Sequence, residues 1–323
     1  MDLQQRTQRF GAAVILCVLC LRLWEAGMPE KVTAWLTQPE TAAFLIYLET
    51  GQDVRFSASS DVVAPFFRES PPPWIEPEEI PVFTPEDEQL VKIYNTSGKK
   101  YDLSRLLAQP LTWNLRQESP TVLILHTHAT ESYTKNGESY QETAAYRTLD
   151  ENYNMLSIGT RVAQRLEEAG IPVLRDETLH DYPSYNGSYV HARNSLSEIL
   201  SETPSIQLVL DLHRDASEGI GGQLRPLVNM EGTTAAQMML VMGTNFDGWE
   251  ENLALAVKLH TVLERQTEGI MRPINLRGQR FNQDLSPGAL LIEMGAAGNT
   301  HAEALLAADA LAQAIISLAE GTE

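Results

Sequence analysis

Four consecutive apolar residues, Val122 to Leu125, run directly into a polar stretch that contains two histidines and a glutamate. The whole segment, residues 121–132, reads TVLILHTHATES. A short unbroken apolar run is typical of a buried strand. In an open α/β sheet, ligands bind beyond the carboxyl ends of the strands. We therefore expect a central strand here, with part of a functional site at its end.

From residue 121 onward, short apolar runs alternate with longer amphipathic stretches. Strands are predicted at 121–125, 171–176, 206–212, 236–243 and 289–295, and helices at 154–170, 190–201, 249–267 and 301–319. Gly170 suits the C-terminal cap of the first of these helices, and the segment before residue 289, rich in Arg, Asn and Gly, is predicted as a loop. The alternation predicts an α/β fold, with a mostly parallel or mixed twisted sheet flanked by helices.

Residues 1–27 are interpreted as a cytoplasmic tail and a membrane anchor. Arg6 and Arg9 precede an uncharged apolar run at 10–21, the pattern of an export signal or of an anchor with its N-terminus inside. The run is short for a full span, so a cleaved signal peptide is one alternative and a buried helix of a cytosolic protein is another. We predict an uncleaved single-pass anchor, which places the following residues outside the cytoplasm.

The segment between the anchor and the apolar strands divides into two parts. Residues 28–58 contain a helical pattern broken at Pro39, and we predict a juxtamembrane helix there. Residues 59–90 are rich in proline and acidic residues, which favours an extended linker. For the second half of this linker, irregular structure docked on the domain is the alternative. Residues 91–323 are predicted to form the catalytic domain, beginning with a short strand around 90–94 and a helix around 103–108.

Charge and cysteine content narrow the function. The net charge of −19 repels polyanions, so nucleic acid is excluded as a partner. The two cysteines, Cys17 and Cys20, both lie in the N-terminal apolar run. A disulfide framework and a thiolate metal site are therefore excluded from the rest of the chain, where any metal ligands must be His, Asp or Glu.

Three of the predicted strands end in ionisable residues. The first is followed by His126, His128 and Glu131, the third by His213, and the last contains Glu293. Because the carboxyl ends of neighbouring parallel strands lie at the same edge of a sheet, we expect these side chains to converge. Catalytic zinc commonly takes two histidines and one carboxylate and leaves a fourth position for water. The pattern therefore predicts a zinc site.

The assignment of ligands leaves two alternatives open. His213 is the clearest ligand because it has no neighbouring histidine. Only one of His126 and His128 is needed, and the other would lie behind it. Glu131 is the nearest carboxylate, and Glu151, just before the first helix after the long loop, is its rival.

Glu293 is then left for acid–base work, because its apolar strand would raise its pKa by desolvation. A tyrosine-rich loop at 180–189 could line a substrate groove, and the amides at 282–284 could hold a peptide backbone. A covalent nucleophile mechanism has little support, because the chain has neither a G-x-S-x-G elbow nor a catalytic cysteine.

Several motifs resemble the stage II sporulation protein P family. They occur in the family's order and are HTHATESY (126–133), HDYPSYNGSY (180–189), DLHRDA (211–216), FNQDLS (281–286) and LLIEMG (290–295). The likeness is close over residues 120–320 and looser over the N-terminal third, where YLETG (47–51) follows the predicted anchor.

The resemblance implies a membrane-anchored cell-wall hydrolase of spore-forming bacteria that acts in engulfment of the forespore. Family members cleave peptidoglycan as N-acetylmuramoyl-L-alanine amidases, an endopeptidase activity is also ascribed to them, and stage II sporulation proteins D and M are implied as partners. A peptide cross-link endopeptidase and a non-catalytic wall-binding scaffold are the alternative functions.

The resemblance also implies roles for individual residues, because the family's catalytic domain is similar to the zinc amidases. Carried over, the two zinc-binding histidines fall on His128 and His213, and the catalytic glutamate falls on Glu293. For the glutamate ligand, the zinc amidases point to Glu151 and the sporulation family's own motif points to Glu131. We adopt Glu131.

Overall fold

A seven-stranded sheet is the central element of the computed structural model, which describes residues 81–134, 146–219, 222–230 and 232–320. The strands are β1 (Ile93–Asn95), β2 (Val122–Leu125), β3 (Val173–Arg175), β4 (Leu208–Asp215), β5 (Glu218–Gly219), β6 (Gly222–Gln223), β7 (Leu227–Met230), β8 (Thr233–Ala236), β9 (Met238–Gly243), β10 (Ile274–Arg277) and β11 (Ala289–Ala296). The predicted anchor, the juxtamembrane helix and the linker up to residue 80 lie outside the described residues.

The order of the sheet is β1-β10-β9-β11-β4-β2-β3. Strands β3, β2, β4 and β11 pair in parallel, as do β9, β10 and β1, and the two groups meet in one antiparallel pairing of β11 with β9. The prediction of a mostly parallel α/β sheet is confirmed. Because β2, β4 and β11 run in the same direction, their carboxyl ends lie at the same edge.

Helices cover both faces of the sheet. They are α1 (Leu103–Ala108), α2 (Met155–Glu168), α3 (Ser188–Glu202), α4 (Trp249–Gln266) and α5 (His301–Glu320). Side chains alternate between the faces along each strand. Val122 and Ile124 of β2 belong to the large core beneath α2, α4 and α5, whereas Leu123 and Leu125 pack with residues of α3.

The sequence of α2 accounts for its limits and its buried face. The side chain of Asn154 accepts a hydrogen bond from Leu156 N (3.0 Å) and caps the first turn. Met155, Ile158, Val162 and Leu166 are buried along one stripe of the helix. The predicted cap, Gly170, has a φ of +76° and lies just beyond the end of the helix.

Five short strand segments, β5, β6, β7, β8 and β10, were absent from the predicted elements. Strand β10 lies in the segment that we predicted as loop, and β7 and β8 form an antiparallel hairpin before β9. In β10 only Ile274 and Leu276 are buried, with Asn275 between them and Arg277 after them. Two apolar positions are too few to give a periodic signal in the sequence. Strand β10 is instead stabilised by its pairing with β1 and β9.

Residues 81–90 pack against the domain. A 3-10 turn at Pro85–Gln89 places Asp87 where it accepts hydrogen bonds from Arg265 of α4 at 2.6 to 3.0 Å. His260 Nε2 of the same helix lies 3.2 Å from Leu90 O. The compact unit that contains these contacts spans Ile75–Glu323.

Helix α5 is long and apolar enough to cross a membrane by length and composition. However, 72% of its apolar window is buried inside the domain. Burial of this extent is typical of a core helix of a globular domain, so α5 is explained by packing.

Candidate active site

The ionisable residues at the ends of β2, β4 and β11 lie together on the face of the sheet that α3 covers. In the parallel pairing of β11 with β4, Glu293 is the register partner of His213. The turn after β2 places His128 and Glu131 at the same edge. Glu131 N donates a hydrogen bond to His128 O (3.1 Å), and both side chains are buried. His128, Glu131, His213 and Glu293 thus form a cluster at the carboxyl edge.

His213 is surrounded by carboxylates. Its Nε2 lies 2.9 Å from Asp211 Oδ1, and its Nδ1 lies 3.8 Å from Glu131 Oε2. Burial alone would lower the pKa of His213, but the negative charges of Asp211, Glu131 and Glu293 outweigh it and raise the pKa above the ordinary value. The position therefore favours a positive charge.

Asp211 joins the ends of β2 and β4. Its two carboxylate oxygens accept hydrogen bonds from Thr127 N (2.8 Å) and Thr127 Oγ1 (2.7 Å). These bonds and the charge of His213 hold the pKa of Asp211 at about 2, against burial, which would raise it. A carboxylate so placed orients the imidazole of His213.

His128 lies among aromatic rings. Tyr185 stacks on it with ring centroids 4.5 Å apart, while Tyr189 and His213 meet it edge-on at 5.6 Å and 5.1 Å. Burial, together with the charge of His213, lowers the pKa of His128 to about 4, so the imidazole is neutral at physiological pH. Its Nδ1 is buried without a hydrogen-bond partner among the described residues.

Glu131 is held on both sides of its carboxylate. Oε2 accepts a hydrogen bond from Arg214 N (3.2 Å), and Arg147 Nη2 lies 3.4 Å from Oε1. These contacts fix the carboxylate beside His213 rather than leaving it to solvent.

Glu293 occupies β11 just before a shift in its pairing with β4. Burial raises the pKa of Glu293 to about 8, and the nearby charge of His213 only partly offsets it. Its Oε2 is buried and, within the part of the chain that the structure describes, has no hydrogen-bond partner. Gly295 follows with a φ of +84°, and a Cβ there would lie 2.7 Å from Ala236 Cβ, so the turn after Glu293 requires glycine.

The two alternate ligands lie outside this cluster. His126 points to the opposite face, where its Nδ1 lies 3.0 Å from Leu212 O and its ring lies against Gly159 of α2. Glu151 is exposed. Of each predicted pair, the structure brings His128 and Glu131 to His213 and Glu293, and leaves His126 and Glu151 apart.

The polar side chains at 283 and 284 make contacts within the domain rather than lining an open groove. Gln283 is buried and bonds Gly243 N (2.7 Å) and Val241 O (2.9 Å), while Asp284 pairs with Arg193 of α3. The tyrosine loop does line the site, through Tyr185 and Tyr189. Asp211 and Arg147 were missed. Asp211 had a signal, since it lies two residues before His213 on the same strand, but Arg147 had none.

A family model for Stage II sporulation protein P (SpoIIP) matches residues 75–316. Stage II sporulation protein P of Bacillus subtilis (strain 168) is 29% identical over 210 residues, which cover 60% of this chain and 50% of that protein. The chain thus spans about half the length of this curated relative.

Solved structures of N-acetylmuramoyl-L-alanine amidases are similar over part of the chain. An N-acetylmuramoyl-L-alanine amidase from Clostridium difficile 630 has 16% identity and a TM-score of 0.36, over 62% of this chain and 94% of its own. The amidase Ami1 from Mycobacterium smegmatis has 14% identity and a TM-score of 0.36, over 64% of this chain and 99% of its own. On the match of the family model, which spans most of the described domain, the chain belongs to the stage II sporulation protein P family.

Proposed function

We propose that this chain is a zinc-dependent N-acetylmuramoyl-L-alanine amidase, which hydrolyses the amide between N-acetylmuramic acid and the L-alanine of the stem peptide in peptidoglycan. One observation carries the proposal. Parallel strands β4 and β11 and the turn after β2 bring two histidines and two glutamates into one cluster, and one of the glutamates, Glu293, has a raised pKa.

The chemistry of the cluster supports a metal ion, although no group of three or more His, Cys, Asp or Glu side chains in the described ranges is already arranged to hold one. His128 Nδ1 and Glu293 Oε2 are buried without hydrogen-bond partners among the residues described. Unpaired buried polar atoms are costly. A bound cation would satisfy the imidazole nitrogen, and a water beside it would satisfy the carboxylate. Two imidazoles and one carboxylate are a common zinc set, and we assign His128, His213 and Glu131 to it.

The remaining residues have definable tasks. When bound, zinc lowers the pKa of a coordinated water and polarises a carbonyl. Glu293 takes a proton from the attacking water and returns it to the leaving amine, and a pKa near the working pH suits both transfers. Asp211 holds the imidazole of His213 in place, and Tyr189, whose ring lies 6.4 Å from that of His213, covers one side of the cluster.

The proposal includes location and partners. The predicted N-terminal anchor would hold the domain outside the cytoplasm, facing the wall, during engulfment of the forespore. Stage II sporulation proteins D and M are the proposed partners. Peptidoglycan is a neutral-to-anionic polymer of sugar and peptide. Because the chain has a net charge of −19, overall electrostatic attraction does not hold this polymer, and specific contacts at the site are needed.

Mass spectrometry of the products from purified peptidoglycan tests the proposal. Incubation with the full chain should release intact stem peptides with free L-alanine amines, and a zinc chelator should stop the release. Products with intact glycan–peptide links but cut cross-bridges would identify an endopeptidase instead. Binding to peptidoglycan without any cleavage would identify a wall-binding scaffold.

A further inference from the structure

The segment between β10 and β11 contains two consecutive residues in the left-handed backbone region. Phe281 has a φ of +50° and Asn282 has a φ of +57°. Asparagine tolerates this region, whereas for a bulky side chain such as phenylalanine it is a strained conformation. Strain of this kind persists only where the surrounding structure holds it, and it is concentrated at functional sites. The fold thus accepts a local cost to place the side chain of Phe281.

Hydrogen bonds to α3 hold this strained turn. Asn282 Nδ2 donates to the backbone oxygen of Tyr189 (2.9 Å). Two residues later, the carboxylate of Asp284 accepts two hydrogen bonds from the guanidinium of Arg193 (2.8 and 2.7 Å). The turn is therefore fixed relative to α3, and the ring of Phe281 is fixed with it.

The ring of Phe281 lies on the same face of the sheet as the proposed base. It packs against the buried side chains of Met239, Val241 and Leu291, and it is itself only partly buried. Met239 is the register partner of Glu293 in the antiparallel pairing of β11 with β9. Side chains in such a pair lie next to each other, with Cβ atoms about 4.5–5.5 Å apart. Phe281 and Met239 thus form an apolar wall beside Glu293.

The apolar wall and the metal-binding residues lie on different sides of Glu293. Because β11 lies between β4 and β9, Glu293 has His213 on one side and Met239 on the other. Tyr189 links the two sides, since its ring centroid lies 6.1 Å from that of Phe281 and 6.4 Å from that of His213.

The proposed reaction indicates which part of the substrate meets the apolar wall. The carbonyl of the scissile amide faces the histidines, and the nitrogen, which becomes the leaving amine, receives its proton from Glu293. The first residue of the stem peptide carries that nitrogen, so its side chain lies close to Glu293. In L-alanine this side chain is a methyl group, and an apolar wall of fixed position suits it.

We propose that Phe281 is a specificity-determining residue, whose ring, together with Met239, contacts the side chain of the first stem residue and limits that side chain to a small group. This inference rests on the proposed amidase function. It gives a reason for the strained turn, because the ring excludes larger side chains only while it stays in one position.

Relative rates on two synthetic substrates test the proposal. The substrates are muramyl tripeptides that begin with L-alanine or with L-valine, and the full chain is assayed on both. The wild type should prefer L-alanine. Phe281→Ala should move the ratio of the two kcat/KM values towards L-valine by about tenfold or more, which is the discrimination that one or two methyl groups give in an apolar site. Phe281→Leu, which keeps an apolar side chain in the turn, should move it less in the same direction.

A second measurement needs neither zinc nor turnover. In zinc-free full chain, calorimetry compares the affinities for the two free tripeptides. The wild type should bind the L-alanine peptide more tightly, and Phe281→Ala should reduce this preference.

Phe83→Ala is the matched control. Phe83 is also a partly buried phenylalanine, but it packs against the large core and its ring lies 5.1 Å from Lys258 Nζ of α4. Its replacement should leave both ratios unchanged. Equal losses on both substrates in the Phe281 variants, or a wild type without preference, overturn the inference and leave the proposed function intact. Failure of the wild type to cleave either amide overturns the proposed function.

Discussion

Glu293 lies directly opposite His213 in the parallel pairing of β11 with β4. The two residues are 80 positions apart along the chain, yet the register of the strands fixes the distance between their side chains as firmly as backbone hydrogen bonding allows. A slip of one residue would turn either side chain to the opposite face. The sheet is therefore the part of the fold that sets the relation between the proposed metal ligand and the proposed base.

Replacing Glu293 by glutamine should separate metal binding from proton transfer. We expect Glu293→Gln to retain zinc and to lose about 10²- to 10⁴-fold in the rate of stem-peptide release, because the amide cannot accept a proton at working pH. Metal analysis and product assays on the same preparation measure both effects. Loss of zinc along with activity would show that Glu293 is a ligand and would sink the assignment as base.

The choice between Glu131 and Glu151 can be decided with a matched pair of substitutions. Glu131→Gln should release zinc and abolish activity, because the buried carboxylate beside His213 loses its charge. Glu151→Gln should change neither, because Glu151 is exposed and apart from the cluster. Zinc content after dialysis gives the answer directly. Retention of zinc by Glu131→Gln and its loss from Glu151→Gln would reverse the assignment.

The sequence predicts β2, β4 and β11, because each contains an apolar run, and it predicts the convergence of their ends, because parallel strands share an edge. Apolar runs predict strands, and parallel order places their carboxyl ends together. It could not choose between His126 and His128, because that choice depends on where the strand stops alternating. β2 ends at Leu125, and the following turn sends His126 towards α2 and His128 towards Tyr185.

Contacts between distant segments could not be predicted from the sequence for a different reason. Arg147 reaches Asp181 and the Tyr185 ring only because Glu131 and Arg147 form an isolated antiparallel bridge. Nothing within either segment indicates this pairing. β10 was missed likewise, since its stability comes from its neighbours in the sheet.

Gly159→Ala should destabilise the domain. A Cβ at residue 159 would lie 2.7 Å from Cε1 of His126 and closer still to Nε2, so the ring would have to move and weaken its contact with Leu212 O. Overpacking costs roughly 1–3 kcal/mol, which exceeds the gain of about 1 kcal/mol for alanine over glycine within a helix. Urea denaturation measures the net loss. Gly278→Ala, where a Cβ meets nothing within 4 Å, is the control and should be near neutral.

Because of Asp176, part of the domain's free energy of unfolding should be lost as the pH falls into the acidic range. Burial would raise its pKa, but hydrogen bonds from His180 (3.0 Å), Ser195 (2.6 Å) and Thr178 (3.0 Å) outweigh it and hold the pKa well below the usual range. The unfolded chain has the ordinary aspartate pKa of about 3.9. The folded state therefore binds fewer protons just below that value, and the stabilisation is present above about pH 4 and is lost as the pH falls further.

The measurement is the free energy of unfolding at pH 6 and at pH 3 for the wild type and Asp176→Asn. At pH 6 the variant should be less stable, because the asparagine cannot offer a charged acceptor to three donors. At pH 3 the difference should shrink, since the wild-type carboxylate has begun to lose its advantage. An equal difference at both pH values would show that the hydrogen bonds, rather than the charge of Asp176, hold the segment that leads into the tyrosine loop.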